Sequence, residues 1–396
     1  MNLARDLALA LMAFVGHFAL AVWLFNRLHA IPWPVRLIKI LDKFIILAAA
    51  AVCVVFLARW LITGQALLPR TGEVVSVSQW IWLGYAMLCW SGAIAVLPLW
   101  LIPKLRERMP PALVANDSTV VDVAERIGFR PIQGLKTKIL ARVPGNEIFQ
   151  IAVQRKTLRV PSLPPALDGL SIAHLSDLHM TGHLGPEFYE VIVEETNAQK
   201  PDLIVLTGDI LEKKRCLKWG PPILSRLRAR FGTYFIFGNH EKRLKDPGHL
   251  RQALIDAGLI DLGGRAIRTT IRDMTVVLVG NELPWFGTAP MPELRTPHSA
   301  FRILLSHTPD QLPWAKSNQF DLMLAGHNHG GQIRLPWIGA LIVPSHYGWR
   351  YAGGLYHEPP TLLHVSRGLA GDHCIRLNCP PELALLVLTS ADRQLS

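Results

Sequence analysis

The sequence predicts an α/β layered domain preceded by three transmembrane helices. Three long, almost charge-free apolar runs fill the first quarter of the chain, and from residue 170 short apolar strands alternate with amphipathic helices. Five of those strands run directly into turns that carry Asp, Asn or His, which locates the chemistry.

Composition bounds the reading. The chain has 396 residues, 50% hydrophobic and 18% charged. A mean hydropathy of +0.25 is high for a water-soluble globule, so an apolar excess is concentrated somewhere. A disordered chain, a collagen-like repeat and a small disulfide scaffold are excluded. Net charge is +11, yet beyond residue 104 there are 33 Lys/Arg against 27 Asp/Glu. That mild excess fits an anionic substrate or an anionic membrane surface. With no basic run interleaved with aromatics, nucleic acid is the weaker partner. Cys53, Cys89, Cys216, Cys374 and Cys379 form no CxxC pair and read as inert thiols in a reducing compartment.

The apolar runs cover residues 7–25, 44–62 and 80–102, each close to the roughly 20 residues that cross a hydrocarbon core. Trp23, Trp60, Trp80, Trp82 and Trp100 lie near their ends, where an aromatic belt belongs. Arg5 followed at once by Asp6 is a poor start for a cleaved signal peptide, so the first run reads as a retained span. Arg27, Arg36, Lys39 and Lys43 sit between the first two runs, and Lys104, Arg106 and Arg108 follow the third; the other side offers mainly Arg5 and Arg70. The positive-inside rule then puts the large C-terminal part in the cytoplasm.

Residues 105–167 read as a connector, with a short helix near 120–127 and a strand-like stretch at 148–160. The catalytic domain is expected over 168–390, with a tail at 391–396. Its strands are expected at 170–175, 203–206, 234–237, 275–279, 303–305, 322–325, 362–365 and 383–388. Helices are expected at 186–199, 222–230 and 248–257.

The strand ends carry Ser176-Asp177-Leu178-His179, Thr207-Gly208-Asp209, Gly238-Asn239-His240-Glu241, Ser306-His307 and Gly326-His327-Asn328-His329-Gly330-Gly331. In open α/β sheets such residues converge, because ligands gather at the carboxyl ends of strands. Carboxylate, amide oxygen and imidazole without thiolate suit Mn²⁺, Fe or Zn²⁺. A carboxylate such as that of Asp209 can bridge two ions. His174 reads as a packed or supporting histidine, His17 as a helix-contact residue, and Asp310 as a turn cap.

Asp-x-His, Gly-Asp, Gly-Asn-His-Glu, a lone His after a strand, and Gly-His-x-His, in this order, resemble the calcineurin-like metallophosphoesterases over roughly residues 168–390. The resemblance implies a four-layer α/β/β/α sandwich with two metals at one edge, Mn²⁺ first among them, then Fe or Zn²⁺. Asp177, His179 and His329 would hold the first ion, Asp209 would bridge, and Asn239, His307 and His327 would complete the second. His240 would face the scissile phosphate as acid or donor, opposite an attacking water acidified by the ions. Glu241 is read as an orienting residue.

The sequence Gly208-Asp209-Ile210-Leu211-Glu212 lacks the Val-Asp-Arg-Gly-type continuation of the protein phosphatases. The blocks through Gln332, the stretch from Tyr347 to Tyr356, and residues 376–382 are similar to a branch of bacterial membrane-associated phosphodiesterases. That branch is similar to enzymes that hydrolyse UDP-2,3-diacylglucosamine in lipid A synthesis. Gln332, Tyr347 and Arg350 are its candidate substrate or supporting residues. The expectation is a multi-pass enzyme of the bacterial inner membrane, acting on an anionic phosphodiester or lipid-linked nucleotide beside the bilayer. The alternatives are a nuclease or nucleotide phosphodiesterase on the same metals, and a catalytically silent membrane scaffold.

Overall fold

The computed structural model describes residues 3–63, 76–105, 110–287 and 300–390; the tail at 391–396 lies outside them. The chain divides into two units, Met1–Met109 and Pro110–Ser396.

The first unit consists of helices α1 (Leu3–His29), α2 (Val35–Thr63) and α3 (Val77–Leu105). Small residues set the contact of α1 with α3: a Cβ on Gly16 would run into the Cys89 carbonyl, and one on Gly92 would press on Leu20. His17 is buried and ties α1 to both neighbours, with Nδ1 2.5 Å from the Tyr85 hydroxyl and Nε2 3.0 Å from the Ala49 carbonyl. Among the described residues two helical stretches, not the expected three, are long and apolar enough to cross a membrane: Leu7–His29 and Arg36–Arg59. The run at 80–102 forms α3 but is not one of the two. Part of its end lies outside the described side chains.

The second unit holds two large sheets. One runs β1 (Leu113–Asp122), β2 (Gln150–Arg159), β15 (Glu382–Thr389), β3 (Ser171–Leu175), β4 (Leu203–Thr207), β5 (Thr233–Ile236), β6 (Ile260–Asp261). The other runs β13 (Gly354–Glu358), β14 (Thr361–Val365), β10 (Leu322–Ala325), β9 (Phe301–Ser306), β8 (Met274–Asn281), β7 (Ala266–Ile271). A hairpin of β11 (Arg334–Leu335) and β12 (Gly339–Ala340) stands apart from both.

Apolar side chains sort by strand parity. Ile172, Val205, Ile236, Leu278, Ile303, Leu324 and Leu386 fill the space between the sheets. On the outer face of the first sheet, Ala173, Leu206 and Phe235 meet α6 (Pro186–Ala198), α7 (Gly220–Leu224) and α8 (Pro247–Asp256). On that of the second, Val279, Met323 and Leu363 meet α9 (Leu312–Ser317). Strands buried on both faces carry continuous apolar runs, which is why β4 and β10 show no alternation.

Within the second unit the structure departs from expectation at its start and in one helix. Residues 110–167, expected to connect, belong to the second unit: β1 pairs antiparallel with β2, and β2 lies parallel to β15 inside the sheet. Asp122 ends β1 and caps the short helix α4 (Val123–Ile127), accepting from the Glu125 N–H. The helix expected at 222–230 stops at Leu224, after which Asn197 on α6 captures the chain through the Arg228 N–H and the Arg226 carbonyl.

Within each sheet β3, β4 and β5, and β8, β9 and β10, are parallel, so their carboxyl ends meet at one edge. There the backbone is too crowded for side chains. A Cβ on Gly208, whose φ is +90°, would lie 2.6 Å from the Gly238 nitrogen and 2.7 Å from His307 Nδ1. Gly208→Ala is expected to lower stability by about 2 kcal/mol from the left-handed backbone alone, with the clash adding to it. Chemical denaturation against the wild type measures the loss.

Candidate metal centre

The turns after β3 and β4 are laced together. The N–H groups of Asp177, His179 and Met180 donate to the carbonyls of Gly208, Asp209 and Ile210. Asp177, His179, Asp209, His327 and His329 all take positive φ, between 42° and 70°. Each such non-glycine residue costs about 1–2 kcal/mol, and strain of this kind collects where side chains must be aimed.

The aim is convergent. One ligand atom from each of Asp177, His179, Asp209 and His329 falls within 4.8 Å of the others, as do those of Asp209, His307 and His327. In the first set His179 Nε2 lies 3.1 Å from His329 Nε2 and 3.5 Å from Asp209 Oδ2, and His329 Nε2 lies 3.4 Å from Asp177 Oδ1. In the second, His307 Nε2 lies 3.2 Å from Asp209 Oδ2 and 3.1 Å from Asn239 Oδ1. Asp209 therefore belongs to both. Its Oδ2 and the Nε2 of His327 are buried without a well-directed hydrogen bond. Leaving such atoms unpaired is costly, and two cations held by an oxygen-and-nitrogen donor set would satisfy them. The residues fit a dinuclear site.

Supporting contacts set the direction of each ring. His307 Nδ1 donates to the Thr207 carbonyl at 2.7 Å, turning Nε2 inward. His179 Nδ1 meets Glu212 Oε1 at 2.5 Å. Glu241 accepts from the backbone N–H groups of Asp209, Ile210, Leu211 and Gly238, locking the Asp209 turn from below. Burial and the Asp209 charge push the Glu241 carboxyl up to about 7, against those four donors. Asn328 points away from the donor sets, giving its amide to the Tyr351 carbonyl.

Burial disfavours a charge on the imidazoles of His179, His307, His327 and His329. At His179 the Glu212 hydrogen bond and the Asp209 and Asp177 carboxylates outweigh it and raise the pKa to about 9; at His307, Asp209 does the same, also to about 9. At His329 burial wins, and the pKa falls to about 3.

His240 sits beside these sets. Its N–H donates to Asp209 Oδ1 at 2.8 Å, and its ring lies 3.9 Å from Asp209 Oδ2. Glu212 Oε1 lies 2.7 Å from His240 Nδ1, so one carboxylate faces both His179 and His240. Arg243 completes the group: Nη1 meets Glu212 Oε2 at 2.7 Å and Asp372, while Nη2 lies 3.0 Å from His240 Nε2. Glu212, Arg243 and Asp372 are absent from the sequence-based list. Two had a signal. Glu212 follows Asp209 on the same turn, and Arg243 lies one 3₁₀ turn after His240, where side chains eclipse. Asp372 had none.

Three residues expected near substrate do not join the cluster. Gln332 gives its amide to the carbonyls of His373 and Ile375. Arg350 pairs with Glu358 at 2.9 Å, and Tyr347 packs on Tyr351. Trp285, which the sequence did not single out, does, its ring 4.9 Å from that of His327 and 5.4 Å from that of His307.

The family model for calcineurin-like phosphoesterases matches residues 170–331. An uncharacterized metallophosphoesterase of Bacillus subtilis, YkuE, is 30% identical over 62% of this chain and 88% of its own length. The Escherichia coli phosphodiesterase YaeI is 32% identical over 55% of this chain and 81% of its own. The UDP-2,3-diacylglucosamine pyrophosphatase LpxG of Chlamydia muridarum is 25% identical over 60% of this chain and 88% of its own. With the Asp209-centred donor sets lying inside the matched region, the chain belongs to the calcineurin-like metallophosphoesterases, a family of divalent-metal enzymes, and is a hydrolase acting on phosphoester bonds.

Proposed function

We propose that this enzyme is a membrane-anchored, dinuclear phosphodiesterase that opens a phosphodiester or pyrophosphate bond in a lipid-linked substrate such as UDP-2,3-diacylglucosamine. The observation that carries the dinuclear reading is the sharing of Asp209 by two donor sets. The lipid-linked substrate is supported by the similarity to LpxG and by two helices apolar enough to hold the chain at a bilayer, where a tethered site meets lipid phosphates at raised effective concentration. We assign the site to the cytoplasmic leaflet of a bacterial inner membrane on the loop charges.

Asp177, His179, Asp209 and His329 would hold one ion; Asp209, Asn239, His307 and His327 would hold the other. We take Mn²⁺ as the first candidate, with Fe or Zn²⁺ next; all three suit carboxylate, amide and imidazole donors. Held there, two ions would supply Lewis-acid chemistry, acidifying water and offsetting phosphoryl charge. The protein does the rest. Glu212 and Arg243 hold the His240 ring from its two nitrogens, Nδ1 and Nε2, and a phosphate that draws the guanidinium to itself would free Nε2 for the leaving oxygen. Arg243 places a guanidinium edge beside that nitrogen, where phosphoryl charge develops.

Three outcomes test this. Detergent-purified protein, stripped by chelator and reloaded with Mn²⁺, is expected to cleave both UDP-2,3-diacylglucosamine and bis-p-nitrophenyl phosphate, with Asn239→Ala silent on both. Turnover of the generic diester alone keeps the metal site and discards the lipid nucleotide; metal binding without any turnover favours the scaffold. His240→Ala is expected to lower kcat by about 10²–10⁴-fold with metal content unchanged, and Glu212→Gln to lower activity or metal affinity about 10–100-fold. Metal analysis beside steady-state kinetics separates the two variants. Finally, His179 and His307, raised to about 9, carry protons at neutral pH in the metal-free protein. A metal takes only neutral imidazole, so loading expels protons and apparent affinity falls as pH drops below about 9. Calorimetric titration in buffers of different ionisation enthalpy counts the protons; no release would refute the assignment of these two ligands.

A further inference from the structure

Outside the metal-ligand set, the second unit exposes a concentrated apolar surface built from two segments. One is the β11–β12 hairpin with the residues after it: Leu335 is 42% exposed, Trp337 94%, Ile338 39% and Ile342 54%. The other is helix α5 (Leu135–Leu140), where Leu135 is 76% and Ile139 58% exposed.

A single strap brings them together. Leu377 bridges to Ile333 on one side and to Asn146 on the other. The Arg334 N–H donates to the Leu377 carbonyl and Asn378 gives its amide to the Arg334 carbonyl, each at 2.9 Å. Asn146 gives its amide to the carbonyls of Leu140, at the end of α5, and of Cys374. Both segments also adjoin the metal centre. The hairpin follows directly on the His329 turn, and Thr137 of α5 lies 3.2 Å from His183, on the loop that leaves His179.

Charge selects the occupant. Residues 129–143 and 332–343 contain Arg130, Lys136, Lys138, Arg142 and Arg334 and no acidic residue. A second copy of this chain, with a net charge of +11, is a poor match for that rim. A tryptophan at a hairpin tip, aliphatic side chains around it and a basic border are what an anionic bilayer surface accepts at headgroup depth. Such a contact rests on the membrane-anchored reading above, for which α1 and α2 are long and apolar enough. We propose that the hairpin and α5 form a second membrane contact, seating the catalytic unit on anionic lipid next to the metal centre. The contact holds whichever phosphoester is cleaved. It lets an acylated substrate approach without leaving the bilayer.

The test uses the full chain in nanodiscs made of equal parts phosphatidylcholine and phosphatidylglycerol. Spin labels are placed through Trp337→Cys or Ile139→Cys, with exposed Gln252 of α8 as Gln252→Cys for comparison and the half-buried Cys53 changed to Ser. Labels at 337 and 139 are expected to collide several-fold less with a water-soluble nickel chelate, and more with oxygen, than the label at 252. The contrast is expected to shrink in phosphatidylcholine alone and with Lys136→Glu/Lys138→Glu. Three results would each overturn the proposal: labels as open to the chelate as that at 252; labels shielded from both reagents, as a protein contact would leave them; or a contrast undiminished without phosphatidylglycerol. No activity is read, so failure here leaves the phosphodiesterase reading standing, and failure of that reading leaves this one.

Discussion

At the carboxyl edge of the two sheets, the turns after β4 and β5 press so closely on His307 that neither 208 nor 238 can carry a side chain. That crowding comes from parallel strands in register, Leu206 opposite both Leu175 and Phe235, which deliver every turn to the same line. Once the turns are this close, Asp209 can face two donor sets at once, and Glu241 can gather four N–H groups beneath it. The left-handed residues of the site follow from the same constraint. The chain has to reverse within a residue or two of each strand end while keeping its donors pointed inward.

A second layer of order lies between the sheets. His174 shares the parity of Ile172 on β3 and so faces the inter-sheet space rather than the metal centre. There it meets His364 of β14 at 2.9 Å and the Thr207 hydroxyl at 2.9 Å, while His364 meets Lys156 of β2 at 3.1 Å and Lys156 pairs with Glu382 of β15. Burial lowers the His174 pKa to about 4, so the ring stays neutral and can accept from one neighbour while donating to another. The chain of contacts ends at Thr207, whose carbonyl orients His307. Buried polar groups so connected specify one arrangement of the two sheets, since each partner left unpaired would cost stability. It also gives β2, from the stretch expected to be a mere connector, a fixed place in the core.

Much of this was legible in the residues. Short apolar runs bounded by Gly, Ser or Pro marked most of the parallel strands within a residue or two, because a strand buried on both faces has little choice of composition. The ligand-type residues stood out because Asp, Asn and His at the end of such a strand have no packing role there. Strand β7 and the pairing of β1 with β2 were not legible. Half-exposed edge strands mix polar and apolar residues, and the partner of β1 lies beyond a helix-containing stretch of sequence. Arg350 and Tyr347 looked suited to a phosphate or a base, yet each is engaged by its near neighbours Glu358 and Tyr351.

The sequence by itself determined the chemical class: which donors exist, in what order, on which strand ends, and that long apolar stretches precede them. These are local properties, written in short runs of neighbouring residues. Only the tertiary structure decided which groups share an atom's neighbourhood. It put Asp209 between two donor sets, joined Glu212 to both His179 and His240, brought Asp372 to Arg243 across more than a hundred residues, and set a basic-rimmed apolar hairpin beside helix α5. Such contacts depend on strand register and on how two sheets face each other, and no stretch of neighbouring residues encodes either.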